Sequence, residues 1–426
     1  MPTPVPPRTS DPARQKAGWR GRTAAGMDDT FHALKVYPQF RRLWFAAFGF
    51  TLAQWMQSIA LGWLAFDLTD SERFVGLIAF AAGCPFIVVS IPGGALLDRY
   101  DRRTVLLISQ ALAGIVAVCV AIDVLSGNAA PWHLVVAAFL NGSLQAIVAP
   151  SQQSLVPRLV EPHDLQNALG LMSAGGNMTR VFGPALSGIL IAALGTGYPF
   201  VVQAAAVLVA FAIVFTTTFP KVAPSTNRIT MRVISEGARI ISSRPDLREL
   251  FLLSAIPSLL VFPYLSFLNV YAEEILNIGS QGLGLLLASS GIGAVIGGLM
   301  IASLRTMQGI GKRLYTLTAG YCVVMILFAA VPHLAIVLPS LVAAGLIGSY
   351  AFSGNNALLQ QRITDDVRGR VMGTYLLTWG LMPIGALWMG EMGETWNIRV
   401  AILTGAILSL AVIVVLRIKS QALHLI

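Results

Sequence analysis

The chain has 426 residues, 55% of them hydrophobic and only 12% charged, where an average soluble domain carries about 25% charge. So little charge cannot cover the two or three soluble domains that a chain of this length would otherwise form, which excludes an ordinary soluble protein. A net charge of +9 raises nucleic-acid binding, but the apolar runs leave no soluble basic domain to carry it out.

In chain order, residues 1–39 read as a disordered cytosolic tail. Its first 27 residues are rich in Pro, Arg and Gly and lack the apolar core of a signal peptide, and Met27 stands beside Met1 as an alternative start. Residues 40–219 hold six apolar spans, roughly 43–66, 74–97, 104–124, 132–154, 167–192 and 198–219. The polar segment 220–248 is a predicted cytoplasmic loop. Within it, 229–243 has the pattern of a helix lying on the membrane surface, with Ile229, Val233, Ile240 and Ile241 toward lipid. Residues 249–418 hold six more spans, roughly 249–271, 282–304, 313–331, 334–359, 371–390 and 398–416, and 419–426 form a second cytosolic tail. These runs have the length of membrane helices. With the N-terminus inside, 26 of the 29 Lys and Arg residues fall on one side, which predicts a multi-pass membrane protein with both termini cytoplasmic. Cys84, Cys119 and Cys322 lie in apolar spans without metal-ligand spacing, so neither disulfide nor metal is expected.

The turn after the second span, Gly93-Gly94-Ala95-Leu96-Leu97-Asp98-Arg99-Tyr100-Asp101-Arg102-Arg103, carries charges that cannot lie in hydrocarbon. A shift of 204 residues lays Gly93-Gly94 on Gly297-Gly298, Arg158 on Arg362 and Glu161 on Asp365, at equivalent places in the two halves. The fifth span contains Gly183-Pro184-Ala185-Leu186-Ser187-Gly188, preceded by Asn167-Ala168, Asn177 and Arg180. Gln360 through Val371 form a second polar connection, and Phe40-Arg41-Arg42-Leu43-Trp44 opens the first span.

Together these segments resemble the major facilitator superfamily over roughly residues 38–418, and within it the enterobactin-exporter-like, drug-efflux-like branch. The resemblance implies an all-α membrane fold of twelve transmembrane helices in two pseudo-symmetric six-helix halves. It implies a conformational latch at Gly94, Asp98, Arg99, Arg102 and Arg103, and an antiporter motif at Gly183, Pro184 and Gly188. One feature departs from many drug exporters, which carry an arginine near the middle of the fourth helix. Here that stretch reads Phe139-Leu140-Asn141-Gly142-Ser143-Leu144-Gln145.

The polar residues within spans are candidates for a substrate cavity: Gln54 and Gln57, Asn141 and Gln145, Asn177, Asn269, Asn355 and Asn356. The competing reading of each is an interhelical hydrogen bond. Arg180 is the one ionisable residue deep in a predicted span, roughly 20 Å along its helix at 1.5 Å per residue. A charge there faces a cavity or a partner, so Arg180 either reads an anionic substrate or bonds to a neighbouring helix. For proton coupling the candidates are Asp67, Glu273 and Glu391 at outer helix ends, with solvated interface charge as the alternative.

The expected function is secondary active transport in the bacterial inner membrane, exporting a small amphipathic compound, siderophore-like or drug-like, by alternating access. The alternatives are an importer of an organic anion read by Arg180 and a transport-dead sensor on the same fold. The expected partners are the bilayer, a small-molecule substrate and protons as coupling ion. The chain shows no nucleophile–base set and no phosphate-binding loop, so no enzyme, cofactor, nucleotide or nucleic-acid partner is expected.

Overall fold

The computed structural model describes residues 31–219, 231–302 and 309–419. Its long helices are α1 Pro38–Thr69, α2 Glu72–Arg99, α3 Arg102–Leu125, α4 Pro131–Leu155, α5 Leu165–Leu194, α6 Tyr198–Thr216, α7 Pro245–Leu260, α8 Gly279–Ala302, α9 Ile310–Ala330, α10 Leu334–Arg362, α11 Asp365–Thr395 and α12 Ile398–Lys419. Ten helical segments among the described residues are long and apolar enough to cross a membrane. Their boundaries follow local chemistry. Pro38, Pro131 and Pro245 stand in first turns, where a missing N–H costs nothing. Asp101 caps α3, its Oδ2 accepting from the Thr104 N–H at 3.0 Å. Gly195, at φ +104°, ends α5 in a conformation that a side chain would strain.

The predicted span 249–271 is not one continuous α-helix. After Val261 the chain tightens into a 3₁₀ segment, Phe262–Phe267, and then widens into a π turn, Tyr271–Ile275. Pro257 and Pro263 remove amide donors there, which explains the lost regular ladder.

α1 packs on α5 and α6, α2 on α4, and α3 on α4 and α6. Later in the chain α8 packs on α10, α9 on α10 and α12, and α7 on α11 and α12. The earlier and later helices meet chiefly through two pairs, α2 with α11 and α5 with α8. Glycines permit the closest approaches. A Cβ on Gly142 would sit 2.0 Å from the Ala82 carbonyl oxygen between α4 and α2, and one on Gly293 would sit 1.9 Å from that of Val342 between α8 and α10. Large apolar side chains remain exposed on many helices, among them Ile115, Ile122, Val209, Phe215, Leu299 and Ile418. Their spread over the bundle has the character of a lipid-facing surface rather than a single docking patch.

Two expectations are corrected here. Within the predicted disordered tail, His32–Val36 is a short helix. Ala33 is fully buried and its N–H donates to Asn167 Oδ1 at 3.1 Å, while the Tyr37 hydroxyl donates to Asp164 Oδ2 at 2.8 Å. The surface helix spans Met231–Ser243 and packs on α11. Ile241, assigned to lipid, is instead buried in the protein core. Ile229, the tails before residue 31 and after 419, and the first part of the central loop lie outside the described residues.

Candidate functional site

The α2–α11 and α5–α8 contacts gather at the end of the bundle away from the termini. A Cβ on Gly76 would fall 2.6 Å from the Ala386 carbonyl oxygen, and one on Gly188 would fall 2.8 Å from Gly284 Cα. That end is therefore closed. At the termini end lies a cavity of about 680 Å³, bordered by Phe352, Ser353, Asn356, Gln360, Gln361, Arg368 and Trp379. Asn356 accepts a hydrogen bond from Gln360 Nε2 at 2.6 Å, so one helical face presents two amides to this space.

Arg180 sits deeper, between the two halves of the chain. Its guanidinium carbon lies 5.8 Å from the Trp55 ring on α1 and 5.9 Å from the Trp379 ring on α11. Both are cation–π distances. Trp379 meets Phe352 edge-on at 4.7 Å, and Phe352 in turn meets Phe262, which tilts against Tyr321 at 5.4 Å. An aromatic wall thus runs from Arg180 to the cavity and on into the later helices. Among the described residues Arg180 makes no ion pair and donates no hydrogen bond from its five N–H groups.

The predicted cavity amides separate into two groups. Asn356 faces the open cavity. Gln57 is buried, and its Oε1 accepts from Gln203 Nε2 at 2.7 Å, while Asn141 donates to the Ala137 carbonyl at 2.9 Å within its own helix. Asn269 donates to the Gly62 carbonyl at 2.7 Å, joining the later helices to α1. Asn355 donates to the Leu250 carbonyl at 2.6 Å. These four amides are engaged in packing. Gln54 is buried with its Nε2 unsatisfied, and Gln145 is half-buried. The side chain of Asn177 lies outside the described residues.

Of the residues predicted to form a latch, Arg102 donates to the Ser154 carbonyl at 3.1 Å and Arg103 to the Phe215 carbonyl at 2.8 Å, both within the first half of the chain. The side chains of Gly94, Asp98 and Arg99 lie outside the described residues. Gly183 and Gly188 are close-packing positions. A Cβ on Gly183 would meet Trp55 at 2.6 Å, and between the two glycines Pro184 interrupts the amide ladder of α5.

Of the proton-coupling candidates, Asp67, Glu273 and Glu391 are all exposed, and Glu391 takes a two-pronged ion pair from Arg73 at 2.6 and 2.9 Å. Two buried carboxylates stand outside the predicted candidates, Glu72 and Glu249. Glu249 accepts from the Tyr315 hydroxyl at 2.6 Å. Their places at helix ends made them look solvated, and only the packing of distant helices buries them.

The chain matches the family described as "Transmembrane secretion effector" over residues 31–424. It is 24% identical over 354 residues to a staphyloferrin A transporter of Staphylococcus aureus, covering 82% of this chain and 87% of that one. It is 22% identical over 347 residues to the enterobactin exporter of Salmonella typhi, covering 80% and 82%. In fold it is similar to a bacterial homologue of the human lysosomal transporter Spinster, with a TM-score of 0.66 and 17% identity over 91% of this chain and 96% of that one.

Proposed function

Because the chain belongs to the transmembrane secretion effector family, a branch of the major facilitator transporters, we propose that it exports a small amphipathic anion across the bacterial inner membrane by alternating access. In this reading its twelve long helices form two six-helix halves, and the basic termini end faces the cytoplasm. The shape of the bundle is then inward-facing, with the cavity open to the cytoplasm and the far end shut.

The observation that carries the substrate class is Arg180. A guanidinium held between two tryptophans, with no carboxylate paired to it among the described residues, offers a planar fork to an anionic group while the aromatic wall takes apolar surface. Asn356 and the exposed Gln360 and Gln361 supply uncharged contacts on the way in. Gln54, Gln145 and Asn177 belong to the same proposed lining, while Gln57, Asn269 and Asn355 hold helices together around it and Asn141 bonds within its own helix. A siderophore-like or drug-like compound bearing a carboxylate or catecholate fits this chemistry, and the relative named as an exporter favours outward transport. The charged turn containing Gly94, Asp98 and Arg99 is proposed to latch the halves when the cavity faces outward.

Binding to purified protein in detergent tests the site. Arg180→Lys keeps the charge and loses the fork, so binding of an anionic siderophore should weaken while a neutral analogue of the same skeleton is held as before. Equal loss for both ligands, or a melting temperature that falls with affinity, would return Arg180 to a purely structural role.

A further inference from the structure

A second and much smaller space, of about 20 Å³, lies within the later helices. α7 borders it with Leu253 and Ser254, α9 with Tyr321, and α10 with Gly348, Phe352 and Asn355. Phe352 also borders the large cavity, so the two spaces share one aromatic wall. Two side chains here hold polar atoms without partners. Asn355 is 3% exposed, and its Nδ2 donates to the Leu250 carbonyl at 2.6 Å and to the Ser254 hydroxyl. Ser254 is held in turn by the Tyr375 hydroxyl at 2.7 Å. These bonds fix the amide and commit its N–H groups to packing, while its Oδ1 finds no donor among the described residues. Tyr321 is also 3% exposed, and its hydroxyl finds no partner among them either. Pro257 adds to the surplus of acceptors, because it lacks the N–H that a helix would aim at the Leu253 carbonyl. Buried polar atoms are rarely left unpaired in folded proteins.

We propose that Tyr321 and Asn355 form a subsite that reads one neutral hydroxyl group of the substrate. The subsite rests on the proposed anion site at Arg180 and narrows its ligand to an amphipathic anion that also carries a hydroxyl. The anionic group lies on Arg180, and the hydroxyl reaches past Phe352 into the small space. There it donates to Asn355 Oδ1 and accepts from the Tyr321 hydroxyl, in the place that one water would fill.

Size and chemistry select the group. A space of about 20 Å³ admits one water or one heavy atom of a ligand, not a ring. A free acceptor beside a free hydroxyl suits a group that both donates and accepts, which a methyl does not do. An ammonium would donate, but it would share the aromatic wall with the guanidinium of Arg180, a like charge. The rings of Trp379 and Phe352 line the route between the two stations, so a rigid aryl spacer between anion and hydroxyl fits it. An analogue that lacks the hydroxyl leaves the subsite to water, and the preference comes from that difference.

The test is equilibrium binding to the full-length protein in detergent at one pH. The probes are para-hydroxybenzoate, hydroxynaphthoate and para-hydroxybiphenyl carboxylate, three spacer lengths, each beside its parent without the hydroxyl. At one length or more the hydroxylated probe should bind about tenfold more tightly than its parent, the gain from two neutral hydrogen bonds made in place of water's. Tyr321→Phe removes the hydroxyl and keeps the ring, so that ratio should fall toward one. Gly348→Ala puts a Cβ 3.3 Å from the Tyr321 ring and takes up the space, so it should lower the ratio with both polar atoms still present. Gly320→Ala, where a Cβ meets nothing within 4 Å, should keep the wild-type ratio. A ratio near one at every length in the wild type, or an unchanged ratio in both Tyr321→Phe and Gly348→Ala, would overturn the subsite. The parent carboxylates separate this result from the reading of Arg180. If they bind the wild type, weaken in Arg180→Lys and show no gain from the hydroxyl, the subsite alone fails. If they bind wild type and Arg180→Lys alike, the Arg180 reading fails, and no binding by any probe overturns both.

Discussion

In the proposed inward-facing arrangement, closure at the end away from the termini depends on the absence of side chains along the α2–α11 seam, and Gly76→Ala tests that dependence. The new Cβ would lie 2.6 Å from the Ala386 carbonyl oxygen and 3.3 Å from Gly390 Cα. The first distance is far inside van der Waals contact, and the atoms met are backbone, so a rotamer change cannot relieve it. Overpacking of this kind costs about 1–3 kcal/mol. The gain of up to about 1 kcal/mol from placing Ala rather than Gly in a helix applies to open and closed states alike and cancels in their ratio. The closed-to-open ratio should then fall about 5- to 150-fold, since each 1.4 kcal/mol is about tenfold. A spin-label distance between Leu68 and Trp396, both exposed at that end, reads that ratio directly. Gly320→Ala is the control, because a Cβ there meets nothing within 4 Å. If Gly76→Ala gives the same distance distribution as wild type and as Gly320→Ala, the seam is not the gate and the reasoning fails.

Two further outcomes follow from the same geometry. Tyr315→Phe removes the hydroxyl that donates to buried Glu249 at 2.6 Å and should cost about 1.5–3 kcal/mol, as expected for a bond to a charged group; an unchanged detergent melting curve would show that the pair contributes nothing. Cysteines at Ser242 and Asn128, both exposed, should label from opposite sides of the membrane in intact cells, Asn128→Cys from outside and Ser242→Cys only after permeabilisation; labelling of both from outside would invert the proposed topology.

The fold was largely legible because membrane helices declare themselves by length and apolar content. The first two long helices, Pro38–Thr69 and Glu72–Arg99, start and stop within a few residues of the predicted tail and turn. Patterns that depend on contacts between distant segments were not legible. Nothing local in His32–Val36 announces that it docks against Asn167 and Asp164. Ile241 has the spacing of a lipid-facing residue and becomes core only because α11 lies over it. In the site, Arg180 stood out because a deep charge in an apolar run is costly wherever it points. The amides did not sort themselves, because Gln57 and Asn356 look alike in sequence; only Gln203, 146 residues away, commits Gln57 to packing. Glu72 was passed over for the same reason, since its carboxyl is buried at Gly393, far along the chain.

The central claim is outward transport of an amphipathic anion through a site organised by Arg180. The most direct measurement is uptake of labelled siderophore-like anions into inside-out vesicles holding the wild-type protein or Arg180→Lys, with right-side-out vesicles in parallel. The account predicts concentrative uptake into inside-out vesicles by the wild type, with uptake by Arg180→Lys reduced for anions and retained for neutral analogues. Uptake confined to right-side-out vesicles, or equal handling of anions by the two proteins, would contradict it.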